Sequence, residues 1–193
     1  MSELAAILLA GGRGSRMGGV HKPLLEIGGT TLLDAAITAA RNAGCDPIVA
    51  VGDPAIAVSA AASAIAWVRE DPPFGGPVAA ILVALPLVTA SRTLVLACDL
   101  PRVVDAVKVL NAAAFTADGV CLADASGQRQ WLTALYRTDA LRTAGASIPD
   151  EGRDASVRTL LAGLSITTIA TSDDLAADID TWDDLSEARK RNP

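Results

Sequence analysis

Apolar residues follow two rhythms along this chain. Ala5-Ala6-Ile7-Leu8-Leu9 is a continuous apolar run that ends in Gly11-Gly12-Arg13-Gly14. That is the pattern of a fully buried parallel strand entering a glycine loop. Residues 48–51, 66–68 and 93–97 repeat the strand pattern. Between these runs the pattern becomes helical. Thr31-Leu32-Leu33-Asp34 has the form of a capping box and opens an Ala-rich helix to Asn42, with Gly44 as its stop. Asp53-Pro54 offers an N-cap and a first-turn proline for a helix to about Ala64, and a further helix is expected from Val78 to Leu87.

The second half predicts a helix near 105–114, strands near 120–122 and 132–136, and a helix near 155–164. A last strand near 165–169 precedes a helix over 181–190. Strands alternating with helices predict an α/β architecture: a mostly parallel sheet with helices on both faces, in one domain spanning 1–193. Ligands of such sheets bind beyond the carboxyl ends of the strands. The glycine loop, the turn-rich stretch 69–77 and Asp99 all follow strands, so they are expected on one rim.

Composition narrows the partners. The chain is 51% hydrophobic but only 3% aromatic, which suits helices packed on a buried sheet better than a β-sandwich. A net charge of −6 gives no general attraction for nucleic acid or an anionic membrane, so any phosphate site must be locally positive. The N-terminus has no secretory pattern, and the run 5–10 is too short to span a bilayer. Cys45, Cys98 and Cys121 form no pairing or metal-ligand spacing, and His21 is the lone histidine. These features predict a cytoplasmic protein without a Cys/His zinc site and with its cysteines in the core.

The local positive site is the stretch 9–22. Five glycines in the nine residues 11–19 let the backbone turn several N–H groups toward one anion, and Arg13, Arg16 and Lys22 add charge. A strand-to-helix turn with solvated arginines is the alternative. Two familiar phosphate loops do not match. G-x-G-x-x-G fails because Gly12-Arg13-Gly14-Ser15-Arg16 is followed by Met17, and Gly-Lys-Ser/Thr occurs nowhere. A Rossmann dehydrogenase is thereby disfavoured.

Leu9-Ala10-Gly11-Gly12, then Arg16-Met17-Gly18-Gly19, Lys22-Pro23-Leu24-Leu25 and Gly28-Gly29 together resemble the N-terminal signature of the molybdenum cofactor guanylyltransferases. Three later stretches are similar to the same family in order and spacing. They are Glu70-Asp71-Pro72 with Gly76-Pro77-Val78-Ala79-Ala80, then Leu96-Ala97-Cys98-Asp99-Leu100-Pro101, then Asp178-Ile179-Asp180-Thr181-Trp182-Asp183-Asp184-Leu185. The resemblance implies the Rossmann-like three-layer fold of nucleotide-diphospho-sugar transferases. It also implies GTP as donor, a molybdopterin-type phosphate as acceptor, Mg2+ as cofactor, and transient contacts with enzymes of cofactor biosynthesis.

The resemblance also assigns roles. Leu9, Ala10, Gly11 and Gly12 hold the nucleotide; Arg16 and Lys22 face its phosphates; Asp71 belongs to the nucleoside site; Asp99 binds Mg2+; and Asp180 is a second metal ligand. Gly11 matches the guanylyl branch, since the cytidylyl branch usually has Leu-Ala-Ala-Gly. The chain departs from the pattern at His21, where many relatives carry Asp, at Trp182, which replaces a common proline, and at Gln130-Trp131, where Gln-Pro or His-Pro is frequent. These changes leave the triphosphate chemistry intact and bear on the acceptor side.

Read without the family, Asp99 could instead cap a helix starting near Pro101, and Thr181 with Asp184 could cap the last helix with Asp180 merely adjacent. Asp173-Asp174, Asp183-Asp184 and Glu187 read as a solvated face. No Ser, Cys or His nucleophile stands out, and none is needed if the acceptor supplies its own phosphate oxygen. The rivals are cytidylyl transfer, nucleotidyl transfer to another phosphorylated metabolite, and a non-catalytic nucleotide-binding partner.

Overall fold

The computed structural model describes residues 2–12, 14 and 17–191. Its centre is a seven-stranded sheet in the order β5-β4-β1-β6-β8-β7-β9. The strands are β1 (Leu4–Leu9), β4 (Ile48–Val51), β5 (Ala66–Val68), β6 (Arg92–Ala97), β7 (Gly119–Ala123), β8 (Arg129–Arg137) and β9 (Ile166–Ala170). β2 (Glu26–Ile27) and β3 (Thr30–Thr31) form a separate antiparallel ribbon. β1 pairs in parallel with β4 and β6, β4 with β5, and β7 with β9, while β8 runs antiparallel to both of its neighbours.

The continuous apolar strands are buried on both faces, as a sheet covered by helices requires. Leu4, Ala6 and Leu8 face one core while Ala5 and Ile7 face the other. The first core packs under α1 (Leu32–Asn42) and α4 (Val103–Asn111). Leu33, Ala36, Ile37 and Ala40 in α1 and Val103, Ala106, Val107 and Leu110 in α4 are buried with the same i, i+3, i+4, i+7 spacing. The second core packs under α3 (Pro77–Ala84), α5 (Thr138–Gly145) and α6 (Val157–Leu161). Short helices α2 (Ala60–Ser63) and α7 (Asp173–Ala176) and the terminal α8 (Trp182–Arg191) complete the set.

Several expectations hold at the level of single bonds. Thr31 caps α1 by accepting from the Asp34 N–H, and Gly44 follows its end at φ +82°. Others change. The helix expected over 53–64 is two pieces, a 3-10 turn Pro54–Ile56 and α2, because Ser59 caps a second start. α3 stops at Ala84 and passes into a 3-10 turn around Pro86, whose ring cannot continue the ladder. The β2–β3 ribbon and α5 were not anticipated. All three cysteines are free and buried. Among the described residues no helix is long and apolar enough to cross a membrane.

Candidate nucleotide site at the sheet rim

Because β5, β4, β1 and β6 are parallel, their carboxyl ends lie along one edge; β8, running the other way, brings Leu132 to the same edge beside the end of β6. A cleft of about 660 Å3 follows this edge. From one end to the other it is lined by Arg69 and Glu70 after β5, Gly52 and Asp53 after β4, Leu9 to Gly12 after β1, Ala97 and Asp99 after β6, and Leu132. The nucleotide-binding residues read from the first loop therefore line the cleft together with Asp99.

Two glycines make this rim possible. At Gly14, φ is +53° and a Cβ would lie 2.2 Å from the Val20 carbonyl oxygen. Its own carbonyl accepts from the N–H groups of Met17 and Gly19 at 2.9 Å, which closes the loop. At Gly52 a Cβ would come within 3.0–3.1 Å of the Ala10 and Gly11 backbone, so only glycine lets the β4 end lie against the loop.

Lys22 opens a 3-10 turn, Lys22–Leu24, stiffened by Pro23. A small third core of Met17, Leu32, Ile179 and Leu185 welds this region to the C-terminal segment. The Ile179 N–H donates to the Asp99 carbonyl at 3.0 Å. The C-terminal segment is thus laid along the end of β6, with Asp178 and Asp180 flanking the buried Ile179. The outcome is an ion pair: Lys22 Nζ is 2.5 Å from Asp180 Oδ1 and 3.8 Å from Asp99 Oδ2.

Asp99 is the electrostatically stressed member. Burial, then the nearby Asp178, raise its pKa from 3.8 to about 6; Lys22 opposes them and Asp180 adds to them. Its Oδ1 is buried without a hydrogen-bond partner among the described residues. An acidic oxygen left in that state is suited to a cation. The helix-cap alternative for Asp99 is overturned. α4 begins at Val103 with Arg102 at the N-cap and no side-chain cap. Arg102 turns away to Asp105, at 2.9 Å, and to Asp174. The acids 173–174 are accordingly not merely solvated, since Asp173 also accepts from the Ala125 N–H.

At Asp180 both readings coexist. Asp184 accepts from the N–H groups of Asp180 and Thr181, and Thr181 accepts from that of Asp184, so the capping box is real. It leaves the Asp180 carboxylate pointing to Lys22. Asp71 lies apart from the others. It is exposed and lines a second cavity of about 590 Å3 with Leu82, Arg142, Ile148 and Arg153, whereas Glu70 borders both cavities. Arg16 lies outside the described residues. His21 is exposed at the cleft mouth.

The sequence reading put the stretch 69–77 on this rim but gave Asp53, Arg69 and Phe74 no role in the cleft. Asp53 accepts from the Ala55 N–H and pairs with Arg69 at 3.1 Å, and the Arg69 guanidinium lies 5.8 Å from the Phe74 ring centre. On the other side of the cleft a bulge sets Gln130 opposite Leu122 although Ala134 is opposite Cys121, so residues 131–133 are extra on β8. The bulge turns Leu132 into the cleft, and Trp131 is held by the Arg129 guanidinium at 5.1 Å from its ring.

A mostly parallel sheet with a glycine loop, a lysine and carboxylates at one rim is the framework of a nucleoside-triphosphate-transferring domain. The chain belongs to the family of MobA-like NTP transferase domains, whose model matches residues 6–167. It is 41% identical over 137 residues to a molybdenum cofactor guanylyltransferase of Bradyrhizobium sp., covering 65% of this chain and 62% of the relative. It is 38% identical over 97 residues to one of Pseudomonas syringae pv. syringae, covering 50% and 48%. The chain spans about half the length of the curated relatives it matches. Its fold is that of a nucleotidyl transferase from Methanothermobacter thermautotroptrophicus, at TM-score 0.77, 24% identity and coverage of 99% of this chain and 98% of the other.

Proposed function

We propose that this chain transfers GMP from GTP to the phosphate of molybdopterin and releases pyrophosphate. The observation that carries this reading is the meeting of Lys22, Asp99 and Asp180 beside the glycine loop. Supporting it are the family and the guanylyltransferase names of relatives.

An oxygen of the acceptor phosphate attacks the α-phosphorus of the triphosphate. The bond from that phosphorus to the oxygen bridging to the β-phosphate breaks, and the electron pair leaves with pyrophosphate. The nucleophile is already anionic, so alignment and charge neutralisation suffice. Backbone N–H groups of the glycine loop hold the phosphates. Lys22, placed next to the carboxylates, is the cation that stabilises the extra charge as the α–β bond lengthens. Leu132, on the far side of Asp99 from the loop, borders the space left for the acceptor.

Mg2+ uses one or two carboxylates and fills its remaining positions with water and substrate phosphates. Asp99, whose Oδ1 has no partner among the described residues, and Asp180 fit that requirement, and the Lys22 ammonium between them is a cation already standing at the same charges. They are the residues that would hold the ion. The chemistry it supplies when bound is neutralisation of triphosphate charge. A cytoplasmic address and brief contacts with enzymes that deliver and collect the cofactor belong to the same reading.

The test is pyrophosphate release with each of the four nucleoside triphosphates, with and without molybdopterin. GTP should be used fastest, and only when the acceptor is present. Faster release with CTP moves the reading to cytidylyl transfer. No release with any triphosphate leaves a nucleotide-binding partner.

A further inference from the structure

The phosphate chemistry of the cleft sits at the ends of β1 and β6. One and two strands away, past the ends of β4 and β5, the cleft has a different wall made of Asp53, Ile56, Arg69, Pro73 and Phe74. Asp53 and Ile56 follow β4, and Arg69, Pro73 and Phe74 follow β5, so this wall lies on the β4–β5 side of the β1 loop. Wall and loop line one cleft of about 660 Å3, which has room for a nucleoside between them.

Phe74 is the conspicuous member. It joins none of the buried cores, stays 44% exposed, and holds φ at +66°, a region that an L-residue with a bulky side chain rarely adopts. The surroundings keep it there. The Gly75 carbonyl accepts from the Asp154 N–H at 2.8 Å, and the Pro72 carbonyl accepts from the Arg153 guanidinium. The loop is therefore fastened on both sides of Phe74 by a segment that itself contains left-handed residues at Asp150, Glu151 and Asp154. Strain maintained by fixed neighbours at a cleft is a mark of function. Over the ring lies the Arg69 guanidinium, itself anchored by Asp53.

We propose that Phe74, with the Arg69 guanidinium, is the platform on which the base of the donor nucleotide stacks. The inference rests on the nucleotide-transfer reading and adds to it the part of the cleft that binds the base. An aromatic face and a planar guanidinium both attract a flat heterocycle, and they do so with little regard to which base it is. The platform therefore supplies affinity for the nucleoside and leaves the choice of base to groups that meet the base edge.

The experiment is calorimetric titration of the wild type, Phe74→Ala and Phe74→Tyr with GTP and with inorganic tripolyphosphate, which has phosphates but no base, all in the presence of Mg2+. Phe74→Ala should bind GTP about tenfold more weakly, the low end of base–aromatic stacking. Its tripolyphosphate affinity should be that of the wild type, and Phe74→Tyr should keep wild-type affinity for both. Unchanged GTP binding by Phe74→Ala overturns the platform while leaving nucleotide transfer intact. Equal losses for GTP and tripolyphosphate also overturn it, since they mean a displaced loop. A wild type that binds neither compound removes the platform together with the transfer reading.

Discussion

Lys22 Nζ sits 2.5 Å from Asp180 Oδ1, across 158 positions of sequence, and 3.8 Å from Asp99 Oδ2. One ammonium thus faces two carboxylates and leaves them in excess, at the place where a triphosphate and its counter-ions would lie. The same lysine has two duties, to hold the acids together and to meet the phosphates.

Lys22→Ala should expose both duties. Loss of one preorganised cation should lower kcat/KM about a hundredfold, or roughly 3 kcal/mol. The partly buried acids would then face one another without their cation, at a cost of about 1–2 kcal/mol in stability. Steady-state kinetics and urea unfolding measure the two effects separately. Adding Asp180→Asn to Lys22→Ala should return part of the stability and none of the activity. A double variant no more stable than the single one would show that the pair does not hold the site together.

Asp99 gives the free protein a pH dependence of known sign. Its pKa rises on folding from 3.8 to about 6. Between those values the folded state binds more protons than the unfolded one, so this group's contribution to stability falls as pH rises from about 4 to 6 and stays low above 6. Asp99→Asn removes the ionising group. In buffer containing a metal chelator the variant should gain about 1–2 kcal/mol over the wild type at pH 8 relative to its standing at pH 4.5, after allowance for partial exposure. A difference in stability independent of pH would mean that Asp99 ionises in the fold as easily as in the unfolded chain.

The strands, the parallel rim and the glycine loop were legible because each is a local signal: an apolar run, a capping box, a glycine cluster. The Lys22–Asp180 pair was not. It depends on Met17, Ile179 and Leu185 forming a third core, and those residues look like scattered hydrophobes until the C-terminal segment folds back along β6. α5 escaped because its buried residues are Thr138, Leu141 and Gly145, of which only Leu141 gives an apolar signal. Phe74 and Arg69 carried no motif, and their meaning lies in exposure and a backbone angle. Asp71, assigned by resemblance, sits on the outer side of its loop, while the adjoining Glu70 reaches the cleft.

The three cysteines should be chemically silent. Burial pushes the Cys45 thiol up to about 12 and the Cys121 thiol up to about 11. Burial raises Cys98 as well, with Asp99 beside it adding to the effect. Since the thiolate is the reactive form, a thiol reagent at pH 8 should label none of them in the folded protein and all three on denaturation. Rapid labelling of Cys98 in the native state would mean that the β6 end opens, and the packing around Asp99 would have to be redrawn.

Gly11 separates what the backbone needs from what the substrate needs. Unlike Gly14 or Gly52, it has room: a Cβ there would meet the Val51 carbonyl oxygen at 3.6 Å and the Gly52 Cα at 3.9 Å, ordinary contacts, and its φ is not left-handed. Glycine at this position is therefore not required by the fold, although the residue lines the nucleotide cleft. Gly11→Ala should fold with unchanged or slightly higher stability, by up to about 1 kcal/mol, because the unfolded chain loses freedom. Any change in donor use then reports on the cleft rather than on folding. If position 11 shapes the base subsite, the ratio of kcat/KM for GTP to that for CTP should fall at least about tenfold, or roughly 1.4 kcal/mol of discrimination. Gly14→Ala is the contrasting control and should lose stability, since its Cβ would overlap the Val20 carbonyl. A Gly11→Ala protein of normal stability with the wild-type GTP to CTP ratio would take the choice of base away from this position.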